Sequence, residues 1–208
     1  MKRRIIAFVI VVLVTLISFI FDKDISILIG KSRNLFLDYI FISLTFVTSA
    51  LVIFFFLTTL FLWNENKRRW IIPLIFSFLL SSGIIFLIKI IFKRPRPFQE
   101  GIVSVFSVVF YFLGNSFNTW NFSFPSFQAA IVFAAFPILM KEFKKLRYFW
   151  FAFACLAAFS RVYFGVHYLS DILAGAVIGY IIGILAVFIE EKFEFGKKIL
   201  HLNSSKVK

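Results

Sequence analysis

His167 and Asp171 stand four residues apart in the segment Ser160-Arg161-Val162-Tyr163-Phe164-Gly165-Val166-His167-Tyr168-Leu169-Ser170-Asp171. On a helix that spacing puts the two side chains on one face, within hydrogen-bond reach. A carboxylate so placed fixes the imidazole tautomer and stabilises a cationic imidazole. Upstream, Lys89-Ile90-Ile91-Phe92-Lys93-Arg94-Pro95-Arg96-Pro97 crowds four cations just before and between two prolines that stop a helix. Between these segments, Ser123-Phe124-Pro125-Ser126-Phe127-Gln128 reads as a helix start, with Pro125 at the first helical position. The N–H groups of a helix start, with its dipole, hold anions. Combined, Lys89, Arg96 and Arg161 are phosphate-binding cations, and arginine grips a phosphate bidentately. Ser126 and its neighbouring N–H groups add donors, and His167 serves as nucleophile. One histidine and one aspartate are too few ligands for a metal. The parts suit phosphoryl transfer through a phosphohistidine, with no metal and no cofactor.

The elements that must position these residues are written in the composition. The 208 residues are 61% hydrophobic and 16% charged. A soluble domain is about 45–50% apolar and about 25% charged. Disorder and an ordinary cytosolic enzyme are both excluded for the bulk of the chain. Net charge is +13. In a soluble protein that excess points to nucleic acid, but here the basic residues sit mainly between apolar runs, which speaks for membrane topology and no nucleic acid. The single cysteine, Cys155, lies inside an apolar run and reads as a small packing residue, with no intrachain disulfide.

The apolar runs are Ile5–Phe21, Leu35–Trp63, Trp70–Ile91, Phe127–Met140, Tyr148–Phe159 and Ile172–Ile189. They lack strand-like alternation and read as helices. The expected fold is all-α: a polytopic membrane protein of six transmembrane helices, forming a single domain over residues 1–208. Its first helix is uncleaved, because no small-residue cleavage site follows it. The second run is too long for one span, and Asp38 near its start is costly in lipid, so an interfacial turn is expected around residues 34–40. The fourth and fifth runs are short and should extend into their polar borders. Alternate connecting segments hold 15 and 8 Lys and Arg residues. The richer set contains both termini, so both are expected in the cytoplasm, with all three polar motifs on the outer face. The segment Gly101–Gly114 is too short to cross and reads as interfacial or re-entrant, a lid or shelf for a lipid chain. A basic cytoplasmic tail covers residues 190–208 and contains His201, on the wrong side of the membrane to assist.

At these motifs the sequence resembles the phosphatidic acid phosphatase type 2 superfamily, whose members show Lys-x6-Arg-Pro, then Pro-Ser-Gly-His, then Ser-Arg-x5-His-x3-Asp. Lys89 to Pro97 matches the first motif in full and Ser160 to Asp171 the third, so the motif region covers residues 89–171. The resemblance implies that Lys89, Arg96 and Arg161 bind phosphate and Ser126 hydrogen-bonds it. It implies that His167 attacks phosphorus and Asp171 orients and charge-stabilises His167. It also implies an integral-membrane enzyme acting on a membrane lipid phosphate at the extracytoplasmic face of the plasma membrane.

The second motif departs from the family. Phe127 and Gln128 stand where the family has Gly-His, and in the family that histidine protonates the leaving group. Glutamine cannot donate a catalytic proton. An alkoxide leaving from phosphatidic acid needs that proton. A phosphate monoester leaving from a lipid pyrophosphate, with a second pKa of roughly 6, departs without it. Lys93 and Arg94 are further cations that could neutralise such a leaving group. The expected substrate is therefore a lipid pyrophosphate, of the undecaprenyl pyrophosphate kind. Glu100, Tyr111, Tyr163 and Tyr168 are the candidate substitute acids, Glu100 first because it follows the first motif closely. Phe127 is expected to narrow the pocket behind the phosphate. Three other readings stay open: a lipid phosphotransferase using the same residues, a catalytically weak lipid-phosphate binder, and a lipid flippase or transporter.

Overall fold

A computed structural model describes residues 2–102 and 122–200 of the chain, and the side chains of all of these but 2–8, 51 and 66. The expected shelf at Gly101–Gly114 lies outside the described residues except for its first two positions, as do Tyr111 and His201. Among the described residues the regular structure is entirely helical. The helices are α1 (Lys2–Lys31), α2 (Leu35–Val47), α3 (Ala50–Leu62), α4 (Ile71–Phe92), α5 (Phe127–Glu142), α6 (Arg147–Tyr163), α7 (Leu169–Phe193) and the short α8 (Phe195–Ile199). As expected, α5 and α6 run past their apolar stretches at both ends or at one.

The helices turn the soluble pattern inside out. In α1 the buried side chains are Thr15, Ser18, Asp22 and Ser26, while Leu16, Ile17, Ile20 and Phe21 are exposed. Spacings of three and four put the buried polar set on one stripe. The three hydroxyls donate to carbonyls of their own helix, at Val11, Thr15 and Asp22. An apolar face turned outward and a polar stripe turned inward suit a lipid solvent.

Lys67–Phe92 and Leu169–Phe193 are long and apolar enough to cross a membrane. Leu35–Val47 and Val52–Leu62, bent by 58°, make a third span if taken together. The remaining helices fall short of that standard for identifiable reasons. α5 and α6 have 16 and 17 residues, about 24–26 Å at ~1.5 Å per residue against a hydrocarbon core of roughly 30 Å. In α1 the described side chains begin at Val9, and any 18-residue window from there takes in Asp22, Lys23 and Asp24.

The break in the second apolar run corrects the expectation of a turn at 34–40. Asn34 caps α2 by accepting from the Leu37 N–H at 3.0 Å, and the helix runs straight through Asp38. Asp38 is tolerated because Tyr163 Oη donates to it at 2.8 Å and Arg33 lies at 3.6 Å. The chain bends later, at Thr48 and Ser49, where the Thr48 hydroxyl donates back to the Leu44 carbonyl at 2.7 Å.

The contact that positions the motifs is α5 against α7. Gly175, Gly179 and Gly183 recur every four residues along one face of α7. A Cβ added at each would come within 2.4, 2.0 and 2.3 Å of the carbonyl oxygens of Ser126, Ala130 and Ala134. Small residues on both sides let two helix backbones touch, the main source of cohesion where lipid removes the hydrophobic drive between helices. The close approach continues into a backbone bond, Ser126 N–H to the Asp171 carbonyl at 2.9 Å. The second and third motifs are thereby fixed against each other.

Candidate active site

The turn between α6 and α7 presents His167. α6 ends at Tyr163, Phe164 is its C-cap and Gly165 adopts φ +67°, the left-handed conformation that glycine supplies without strain. The chain then folds back so that the N–H groups of Val166 and His167 both donate to the Arg161 carbonyl, at 3.1 and 3.3 Å. His167 therefore precedes α7 rather than riding on it, which corrects the single-helix expectation. Its proximity to Asp171 comes from the helix start. Asp171, in the first turn of α7, accepts the Tyr168 N–H at 2.8 Å and stands 3.5 Å from His167 Nδ1 through the same Oδ2.

The opposite ring nitrogen faces cations. His167 Nε2 is 3.5 Å from Arg96 Nη1, and that nitrogen also donates to the Val166 carbonyl at 2.9 Å. Burial, then the charges of Arg96, Lys89 and Arg161, hold the imidazole well below its ordinary proton affinity. The three phosphate-binding candidates are thus gathered around His167. Burial also pushes Arg96 down to about 10, which leaves it charged at neutral pH.

Arg161 donates from Nη2 to Gln128 Oε1 at 2.8 Å. Its Nε and Nη1, together with Gln128 Nε2, are buried without a hydrogen-bond partner among the described residues. Buried donors left unmade are costly, and a group of them beside His167 is what an anion would satisfy. Lys89 is 1% exposed and reaches from the last turn of α4 to the carbonyls of Phe122 and Ser123, tying down the loop before α5. Ser126 is the N-cap of α5 and accepts the Ala129 N–H at 3.4 Å. Pro125 precedes this cap instead of opening the helix. Phe127 is half-buried and packs on the main apolar cluster.

Two expectations about accessory charges change. Arg94 is not a loose cation: it donates to Asp171 Oδ1 at 2.9 Å, Ser170 Oγ at 2.7 Å and Asp22 Oδ2 at 2.8 Å. Its guanidinium also stacks over the Tyr168 ring, 4.1 Å from the centroid. Lys93 is exposed and closes α4 with φ 46°. Glu100 is no ready acid. Its bond to Lys23 at 3.1 Å is the main cause holding its carboxyl below the usual range, and it also accepts from Tyr168 Oη at 3.0 Å. Burial, then Glu100, pushes the Tyr168 hydroxyl above its ordinary range, so it too donates reluctantly. Tyr163 is committed to Asp38.

Asp22 and Ser170 were missed in the sequence. Asp22 accepts the Ser170 N–H at 3.0 Å and its hydroxyl, and it is 1% exposed. The available signal was an acidic residue just past an apolar run. Among the described residues no three His, Cys, Asp or Glu side chains stand together in a metal-holding group.

Residues 70–194 match the family model described as the PAP2 superfamily. The chain is 29% identical over 107 residues to an uncharacterized protein of Methanocaldococcus jannaschii, an alignment covering 50% of this chain and 41% of that protein. Among solved structures it resembles Aquifex aeolicus LpxE, with a TM-score of 0.63 and 27% identity over 80% of this chain and 94% of the other. It also resembles the first transmembrane PAP2-type phosphatidylglycerolphosphate phosphatase from Bacillus subtilis, with a TM-score of 0.66 over 89% and 96% of the two chains. At 20% identity the second likeness is one of fold.

Proposed function

The chain belongs to the PAP2 superfamily, and from that premise we propose that it is a membrane lipid phosphatase acting without metal on a lipid pyrophosphate of the undecaprenyl pyrophosphate kind. The observation that carries the proposal is the set of buried, unpartnered donors on Arg161 and Gln128 beside the His167–Asp171 pair. A terminal phosphoryl group would satisfy them, with Arg96, Lys89 and Ser126 completing its contacts. In this reading α1, the bent pair α2 and α3, α4, α5, α6 and α7 make six spans with both termini in the cytoplasm, and the site opens at the extracytoplasmic face.

The steps follow from the two ring nitrogens. Asp171 Oδ2 stands 3.5 Å from Nδ1 and favours the proton there, and with that tautomer Nε2 carries the lone pair toward the cations. Nε2 attacks the terminal phosphorus. An N–P bond forms, and the bond from phosphorus to the bridging oxygen breaks. The electron pair leaves with the lipid monophosphate, whose charge the arginines and lysine stabilise. Asp171 stabilises the positive charge on the phosphorylated ring. Water then attacks phosphorus, the N–P bond breaks with its electron pair returning to Nε2, and phosphate leaves carrying the water's protons, so the neutral imidazole is regenerated.

Gln128 supports the substrate choice. It stands where the family's acid would be, its carbonyl holds Arg161, and neither Glu100 nor Tyr168 is poised to replace the acid. A leaving group that departs unprotonated fits this set. The same residue favours a second reading, a lipid-phosphate binder with little turnover. Metal-free phosphate release by purified protein, compared with lipid binding by the same preparation, separates the two. A phosphotransferase would consume the lipid while releasing less phosphate than lipid product.

A further inference from the structure

Asp22 lies on α1, far in sequence from every motif, yet its carboxylate is buried against the helix that carries Asp171. One oxygen accepts the Ser170 N–H at 3.0 Å at the start of α7, and the other takes Arg94 Nη2 at 2.8 Å. Arg94 extends its second nitrogen to Asp171 Oδ1 at 2.9 Å, and the Ser170 hydroxyl bridges Arg94 and Asp22. The result is a continuous line of alternating charge, Asp22–Arg94–Asp171–His167, in which each member is hydrogen-bonded or within 3.5 Å of the next.

We propose that Asp22 and Arg94 are positioning residues: the ion pair they form sets how strongly Asp171 acts on His167. This rests on His167 as nucleophile. The physical reason is competition for one carboxylate. Asp171 offers one oxygen to Arg94 and the other to Tyr168 N–H and His167. A bare Arg94 would draw the charge of Asp171 toward itself and away from the imidazole. Asp22 neutralises Arg94 and so leaves Asp171 available. A buried pair of this kind has little screening, so the effect passes to the ring. The first helix thus completes the site, although it carries none of the motif residues.

The two partners have opposite effects, which makes the proposal testable. Removing the charge of Asp22 leaves Arg94 a stronger competitor, and His167 should hold its proton less tightly. Removing Arg94 frees Asp171, and His167 should hold its proton more tightly. The other groups facing this line stay in place: Arg96, Lys89 and Arg161 around the imidazole, and Tyr168 with Glu100 and Lys23 beside Arg94.

The chain has two histidines. In a His201→Gln background the full-length protein in detergent keeps one imidazole, and its titration is read directly by NMR without any substrate. Asp22→Asn should lower the His167 midpoint and Arg94→Gln should raise it, each by roughly half a unit or more, while Asp22→Glu should restore the parent value. Midpoints that do not move, or that move in the same direction, would overturn the proposal. Should Asp22→Asn not fold, the upward shift in Arg94→Gln decides alone. The readout does not depend on turnover, so a loss of the phosphatase reading, seen as no His167-dependent phosphate release by the parent protein, stays distinguishable from a failure of this one.

Discussion

Arg161 and Gln128 are joined by a 2.8 Å hydrogen bond from the guanidinium Nη2 to the amide Oε1. The residue at the family's acid position is thus an acceptor for the Arg161 guanidinium, and it leaves its own Nε2 as a buried donor. Both roles are binding roles, and neither moves a proton. Gln128→His should therefore restore a general acid and raise turnover of phosphatidic acid relative to undecaprenyl pyrophosphate. General acids contribute about 10²–10⁴-fold, and a rise of at least tenfold in the ratio is expected. Measuring both substrates on one preparation checks this, and an unchanged ratio speaks against the leaving-group argument.

Arg161→Lys should separate charge from geometry. Lysine keeps the cation but cannot serve Gln128 and two further acceptors from one planar group. A fall in kcat/KM of about 10–100-fold, the scale of one or two charge-assisted hydrogen bonds, is expected. Activity equal to the parent would mean that Arg161 is present for charge alone.

The pH profile follows from the environment of His167. Burial first, then Arg96, Lys89 and Arg161, lower its proton affinity well below the ordinary 6.5. The proposed nucleophile is the neutral ring, which persists at any pH above the lowered value. The acid limb of kcat/KM, which reports the free enzyme, should lie below pH 6.5, with little loss between pH 7.5 and 6.5. A limb at or above 6.5 would show that the cations do not act on His167 as the geometry requires.

The α5–α7 contact predicts a contrast between two glycines. A Cβ at Gly179 would stand 2.0 Å from the Ala130 carbonyl oxygen, while one at Gly83 meets nothing within 4 Å. Gly179→Val should cost about 1–3 kcal/mol or more through forced separation of the helices, and should reduce activity by disturbing Ser126 against Asp171. Gly83→Ala should stabilise α4 by up to roughly 1 kcal/mol through helix propensity. Thermal unfolding in detergent reads both, and equal effects would place the tight contact elsewhere.

The helical class and the grouping of Lys89, Arg96, Ser126, Arg161, His167 and Asp171 were legible because motif residues sit at helix ends. There, proline, serine and glycine leave a readable mark. What was not legible depends on three-dimensional partners. Asp38 looked too costly for a helix interior, yet Tyr163, 125 residues away in sequence, satisfies it. Arg94 looked like a spare cation because Asp22 and Ser170 are 72 and 76 residues distant. His167 and Asp171 were expected on one helix, since a spacing of four cannot distinguish a helix interior from a turn capped by its own first carboxylate. The bend at Thr48 had no proline or glycine to announce it.

The central claim is that His167 cleaves a lipid pyrophosphate without metal. The most direct measurement is phosphate release by detergent-purified protein in chelator, from undecaprenyl pyrophosphate and from phosphatidic acid, with His167→Ala as the blank. Release from the pyrophosphate, little from phosphatidic acid, and none above background in His167→Ala is the predicted result. Release that survives His167→Ala, or a preference for phosphatidic acid, would contradict it.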